Sequence, residues 1–203
     1  PTQKNIPIEW ENGPKTRTSS KPNIIVVLVD DLGFNQISSY KGGMANGKFK
    51  TPNIDKLASE GVLCTNGYSS SPVCSPSRAS LLTGRFATRF GFEFTPTTSS
   101  MMKAISIFSK KNEVADGIYY NNREDDILEI EEMGIPKSEK TIAEMLKPEG
   151  YHNIHIGKWH LGHSKDFLPR LHGFDESLRI DQGSLFLPED DENVINAKLE
   201  FDP

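Results

Sequence analysis

The chain has 203 residues, enough for a sizeable core, with 25% charged residues and a net charge of -5. No apolar run is long enough to cross a bilayer, and no basic stripe supports nucleic-acid binding. Attraction for an anionic ligand must therefore be local. Cys64 and Cys74, the two cysteines, leave the redox compartment open. Residues 1–22 are rich in Pro, Lys, Thr and Ser and read as an irregular N-terminal arm. The chain starts at Pro1 and carries no signal-peptide pattern, which reads as a mature or trimmed form.

In NIIVVLVDDLGF, residues 23–34, six consecutive apolar residues predict a strand buried on both faces of a parallel sheet. The run stops at Asp30 and Asp31, followed by Gly33. Ligands of open α/β sheets bind beyond the carboxyl ends of strands. Two adjacent carboxylates there suit a divalent cation with oxygen ligands, Ca²⁺ or Mg²⁺, or equally a turn with a helix N-cap. Residues 41–50 are a glycine-rich loop. TPNIDKLASEG, residues 51–61, predicts a helix with Thr51 as N-cap, Pro52 first, Ile54, Leu57 and Ala58 as the buried stripe, and Gly61 as the stop. VLCTNGY, residues 62–68, predicts a short strand, with Cys64 in the core.

SSPVCSPSRASLLTGR, residues 70–85, carries most of the chemistry. Pro76 fits the first turn of a helix, and Ser75 before it is a good N-cap. Ala79, Leu81 and Leu82 offer a buried side, and Gly84 a C-terminal stop. Cys74 then sits just ahead of a helix N-terminus, where unpaired N–H groups and the positive end of the dipole favour an anion. Arg78, one turn on, can fold back with a planar fork suited to an oxyanion.

FATRFGFEF brings four phenylalanines together with a basic edge at Arg85 and Arg89. From Met101 to Lys140 the chain reads as polar and irregular, with an acidic run at Glu124–Glu132. This is a solvated insertion or a loop that shapes a substrate at the mouth of a site. SEKTIAEMLKPEGY, residues 138–151, predicts a capped helix with Ile142, Ala143, Met145 and Leu146 on one face. In HNIHIGKWHLGH, residues 152–163, Ile154 and Ile156 share one face of a strand that ends near Gly157. Lys158 and His160, two apart, point the same way if the chain stays extended there. The pair would suit a sulfate ester, Lys158 neutralising its oxygens and His160 donating hydrogen bonds or moving protons. His152, His155, His163 and His172 read as structural or surface residues. The segment 188–194 is acidic and reads as a surface loop.

Cys74–Arg78 as C-x-P-S-R with Leu82–Arg85 as L-T-G-R resembles the signature of the type I sulfatases. The strand ending in D-D-x-G at Asp30–Gly33, the G-K-W-H-L-G segment at Gly157–Gly162 and the P-x-x-x-G-F-D phrase at Pro169–Asp175 resemble further family segments. The resemblance spans about residues 22–100 and 138–178. It implies the alkaline phosphatase-like fold class, α/β with a mostly parallel central sheet and helices on both faces, incomplete in this chain. Residues 23–203 would be the N-terminal portion of the catalytic domain, with a variable insertion at about 95–137.

What the resemblance implies about chemistry is specific. Cys74 would be oxidised to formylglycine (3-oxoalanine) by a maturation enzyme. Asp30, Asp31 and the converted residue 74 would hold Ca²⁺, or Mg²⁺, and Arg78, Lys158 and His160 would contact the sulfate. The substrate would be a sulfated small molecule or carbohydrate, and the location periplasmic or secreted. The family's remaining metal and substrate ligands have no match in residues 179–203, so a further C-terminal segment is expected to supply them. The alternatives are a phosphonate or phosphate ester hydrolase of the same superfamily, a non-catalytic sulfatase-like binding protein, and a cysteine-nucleophile hydrolase with Cys74 paired to a histidine.

Overall fold

The computed structural model describes residues 21–41, 47–109 and 117–180. The N-terminal arm falls almost wholly outside them, as do half of the 41–50 loop and all of the acidic 188–194 segment. The chain divides into two compact units at Leu63/Cys64.

In the first unit, the apolar run 24–29 forms no ladder, and its side chains are exposed, Val27 at 78%. This corrects the expectation of a strand buried on both faces. Such a strand needs paired neighbours and a covering layer, and no described residue pairs with it. The chain turns at Asp31, where φ is +51°. Two short 3-10 turns follow, Phe34–Gln36 and Ser38–Tyr40. Helix α1 spans Pro52–Glu60, with Thr51 at the N-cap position and Gly61 at the C-cap, as the sequence predicts. Thr51 does not cap through its side chain. Instead Ser38, Ser39 and Thr51 all donate to the Asp55 carboxylate. Those hydrogen bonds, the one from Ser38 foremost, hold the Asp55 carboxyl below its usual value. The predicted buried stripe is absent, with Leu57 71% exposed and no residue of α1 buried.

The second unit holds the core among the described residues. Ala79, Ala87, Phe92, Ile135, Trp159 and Leu161 form it, and Leu82, Phe90 and Phe174 pack against it. Residues 64–68 are not a strand, and Cys64 is exposed, not core. Helix α2 spans Cys74–Thr83. Its N-cap is Val73 rather than Ser75, so Pro76 is the third helical residue. Its missing N–H is one of the four that an α-helix leaves unpaired anyway. Gly84, at φ +65°, ends the helix with its N–H on Ser80 O at 2.9 Å. Only Ala79 of the predicted apolar set is fully buried, and Leu81 is exposed. Of the four phenylalanines, Phe92 is buried and Phe90 half-buried, while Phe86 and Phe94 are exposed.

Helix α3, Ser99–Ser109, lies where the sequence reads as irregular. Helix α4, Ile142–Leu146, begins with a capping box. Thr141 N donates to Glu144 Oε2 at 2.9 Å, and Glu144 N donates to Thr141 Oγ1 at 3.3 Å. On its predicted apolar face Ala143 is buried but Met145 is exposed. Strands β1, Ile154–Lys158, and β2, Glu176–Ile180, pair in parallel from Ile154↔Glu176 to Lys158↔Ile180. Their connection carries two 3-10 turns, Lys165–Phe167 and Pro169–His172. Ile156 is 73% exposed, whereas His155 packs edge-on against Trp159 and Phe174, at 5.2 and 5.5 Å between ring centroids. Trp159 is buried, and its Nε1 donates to Phe167 O at 2.7 Å. Arg85 Nη1 donates to the buried Glu139 at 2.5 and 2.7 Å, tying the loop after α2 to the segment before α4.

Two histidines follow from this packing. Burial pushes the imidazoles of His155 and His172 below their ordinary value of 6.5. His172 is 1% exposed, and neither of its ring nitrogens has a hydrogen-bond partner among the described residues. The folded state keeps both rings neutral, while the unfolded chain takes up protons below about pH 6.5. Stability contributed by the neutral rings is therefore full above that pH and falls as pH drops toward the depressed values. A melting series between pH 7.5 and 5 is expected to lose on the order of a few degrees. His172→Phe is expected to flatten that slope, and an unchanged slope would assign the loss to other groups.

Candidate functional site

The site is built on the N-terminus of α2. The loop ahead of it is ordered by serines: Ser69 Oγ donates to Ser71 O at 2.6 Å and lies 2.9 Å from Ser77 Oγ, and Val73 N donates to Ser71 Oγ at 3.2 Å. This loop delivers Cys74, half-buried, to the first position of the helix. Helix N–H groups and the positive dipole end surround that position. Cys74 and Cys64 form no disulfide.

Cys74 Sγ lies 3.3 Å from His160 Nδ1 and 3.9 Å from Thr95 Oγ1. The structure thus brings Cys74 and His160 together across 86 residues of sequence separation. It does so by a route that alternation does not foresee. β1 ends at Lys158, Trp159 turns into the core, and His160 takes φ +58°. Positive φ is uncommon outside glycine and persists where the surroundings over-determine it. The extended geometry expected to align Lys158 with His160 is absent. Lys158 is nonetheless joined to the site through its backbone, because Arg78 Nη1 donates to Lys158 O at 2.7 Å. This hydrogen bond ties α2 to the end of β1 and commits part of the Arg78 fork to holding the frame. His163, read as structural, lies with its ring 6.5 Å from that of His160.

Thr95 is missed by sequence reasoning, since no motif marks it. Its Oγ1 and the imidazole of His160 are groups that hydrogen-bond an oxygen better than a sulfur. Both can hydrogen-bond the side chain at position 74, whether it carries sulfur or oxygen. Asp30 and Asp31 belong to the first unit, at its turn. Their oxygens suit a hard cation, which takes six to eight oxygen ligands in the case of Ca²⁺. Among the described residues no group of three or more His, Cys, Asp or Glu is gathered around a common metal position. The pair would be part of a ligand shell.

A family model described as Sulfatase matches residues 22–196. Human N-acetylgalactosamine-6-sulfatase is 40% identical over 155 residues, covering 76% of this chain and 24% of the relative. Human steryl-sulfatase is 37% identical over 172 residues, covering 82% and 24%. Among solved structures, Ps i-CgsB superposes with TM-score 0.59 at 30% identity, covering 81% of this chain and 29% of that one. The PsFucS1 sulfatase from Pseudoalteromonas sp. superposes with TM-score 0.53 at 35% identity, covering 79% and 26%. The chain spans about a quarter of the length of the curated relatives it matches. The thiol at the head of α2, the imidazole against it and the matched family model over residues 22–196 agree: this chain belongs to the sulfatase family.

Proposed function

We propose that the protein hydrolyses a sulfate ester carried on a carbohydrate, with Cys74 converted to formylglycine. The observation that carries the proposal is the 3.3 Å approach of Cys74 Sγ to His160 Nδ1 at the head of α2. In the net reaction the ester's S–O bond breaks, the alcohol leaves with a proton, and water supplies the oxygen that completes the sulfate. The hydrated aldehyde of formylglycine supplies an oxygen nucleophile that a thiol does not. His160 hydrogen-bonds the side chain at position 74 through Nδ1, where it can hold or pass a proton, a role worth about 10²–10⁴-fold. The α2 N-terminus and the Lys158 ammonium would supply positive potential to the sulfate oxygens. Arg78 keeps α2 and the end of β1 in register.

Asp30 and Asp31 would hold a divalent cation, which when bound would supply Lewis-acid chemistry. Asp30→Ala or Asp31→Ala is expected to lower bound Ca²⁺ and turnover together, turnover by about 10²-fold or more. Metal content by elemental mass spectrometry, with a chelator titration of activity, checks this. Full activity after metal removal would strike out the metal role.

The carbohydrate class follows the names of the relatives, N-acetylgalactosamine-6-sulfatase among them. Maturation by a formylglycine-generating enzyme, export to the periplasm or medium, and completion by a C-terminal segment belong to the same proposal. Comparing kcat/KM for an aryl sulfate with those for the aryl phosphate and phosphonate tests it. Preference for sulfate is expected, and preference for either phosphorus ester would move the chain to the alternative hydrolase. The same Cys74–His160 contact favours one second reading, a thiol nucleophile activated by an imidazole. That reading requires an unconverted Cys74 in the active protein.

A further inference from the structure

The left-handed turn at His160 lies between two buried residues, Trp159 and Leu161. Both are held from outside their own strand. Trp159 Nε1 donates to Phe167 O at 2.7 Å, and its ring packs against those of His155, His172 and Phe174. The Leu161 carbonyl accepts from Ile135 N at 2.8 Å. Beside that bond Gly134 and Gly162 form an isolated antiparallel bridge. Ile135, 0% exposed, anchors this short pairing in the core. The ring of Phe167 lies against both glycines, and a Cβ added to either would collide with it. The φ of Gly134 is not positive, so glycine there makes room for the ring and does not serve a turn. Gly134 and Ile135 belong to the stretch Met101–Lys140 that the sequence presents as polar and irregular.

We propose that Gly134 and Ile135 form a positioning strap for His160: by seating Phe167 and holding the Leu161 carbonyl, they keep the imidazole against the side chain at position 74. The inference rests on the sulfate-ester reading above and names what holds its proton-handling group in place. A side-chain-bearing residue stays in a left-handed conformation only where its surroundings enforce it. The strap supplies that enforcement on one side of His160, and the Phe167 carbonyl on the other. Placement matters here because a displacement of about 1 Å can cost about 10²-fold in rate.

The test uses the full-length protein matured in its native host, with an aryl sulfate as substrate and each variant assayed well below its melting temperature. Gly134→Ala sets a methyl group against the near end of the Phe167 ring, whose backbone is held by Trp159. It is expected to lower kcat by about 10- to 100-fold and to leave KM within about threefold. Phe167→Ala empties the seat and is expected to show the same split with a smaller loss. The double variant is expected to be no worse than Phe167→Ala, because the added methyl then meets no ring. Gly150→Ala, whose methyl meets open space, is the control and is expected to keep kcat. A merely structural role would lower the melting temperature and leave kcat of the folded protein alone. Unchanged kcat in Gly134→Ala therefore overturns the strap, as do losses that simply add in the double variant. Should Gly134→Ala fail to fold, Phe167→Ala decides: lowered kcat at constant KM supports the strap, and unchanged kcat overturns it. If the parent protein turns over no aryl sulfate, the hydrolase reading fails instead, and the strap is read by NMR of histidine-labelled protein. The His160 imidazole resonance, assigned by its loss in His160→Gln, is expected to shift in Gly134→Ala and to hold in Gly150→Ala. A resonance that Gly134→Ala leaves unmoved overturns the strap.

Discussion

Replacing Cys74 with alanine is expected to lower kcat for a sulfate ester on the order of 10⁴-fold or more, the scale seen when a nucleophile is removed. The side chain stands at the first position of α2, against His160 Nδ1 and Thr95 Oγ1. Cys74 lies outside the apolar core cluster, and alanine is the best helix former. The melting temperature should therefore move by no more than a few degrees, so that lost turnover reports chemistry and not unfolding. Steady-state kinetics with an aryl sulfate and a melting curve on the same sample check both halves. Turnover within about tenfold of the parent would place the reaction on another group.

Gly173→Ala is expected to act on the frame of the same site, destabilising it by roughly 3–5 kcal/mol through overpacking and a left-handed backbone. Gly173 sits at φ +91°, and a Cβ there would lie 2.7 Å from Ala143 C and 2.8 Å from Glu144 Cα. Those atoms are backbone and have little room to yield. Asn153 Nδ2 donates to both Ala143 O and Gly173 O, at 3.0 and 3.2 Å, and Thr141 Oγ1 donates to His172 O at 2.6 Å. Moving either partner breaks the clamp that sets α4 against the lead-in to β2. Gly150→Ala is the matched comparison, because Gly150 has φ +81° but open space around its missing Cβ. That change should cost only about 1 kcal/mol of backbone strain. Chemical denaturation of the two variants gives the difference, and equal losses would show that the close approach at Gly173 is not binding on the fold.

The contrast between these glycines also shows what is legible in a sequence. Local chemistry is. Thr51 and Pro52 at the start of α1, Gly84 after α2, and the strand at Ile154–Lys158 all lie where capping and periodicity put them. Coverage is not. Alternation identifies β1 but says nothing of which face another layer covers; Ile154 and Ile156 are exposed while His155 is packed among aromatic rings. The run at residues 24–29 has the composition of a central strand, yet a strand needs partners, and none of the described residues supplies one. Helix α3 buries none of its residues, and its apolar Met101, Ile107 and Phe108 are exposed.

The site divides in the same way. Cys74, Arg78, Lys158 and His160 stand in the family segments, and the structure brings Cys74 to His160 and Arg78 to the Lys158 carbonyl. The geometry that joins them is not legible in the sequence, since the Cys74–His160 contact depends on a left-handed turn at His160 and the Arg78 bond on a backbone carbonyl. Thr95 carries no signal that one sequence discloses.

The most direct test of the sulfatase-type site is mass spectrometry of the tryptic peptide Leu57–Arg78 from protein made in its native host, with an aldehyde-reactive probe alongside. The expected result is a peptide lighter than its thiol form that traps the probe, which places formylglycine at position 74. An intact Cys74 thiol in protein that turns over a sulfate ester would contradict the formylglycine chemistry and move the nucleophile to the Cys74–His160 pair.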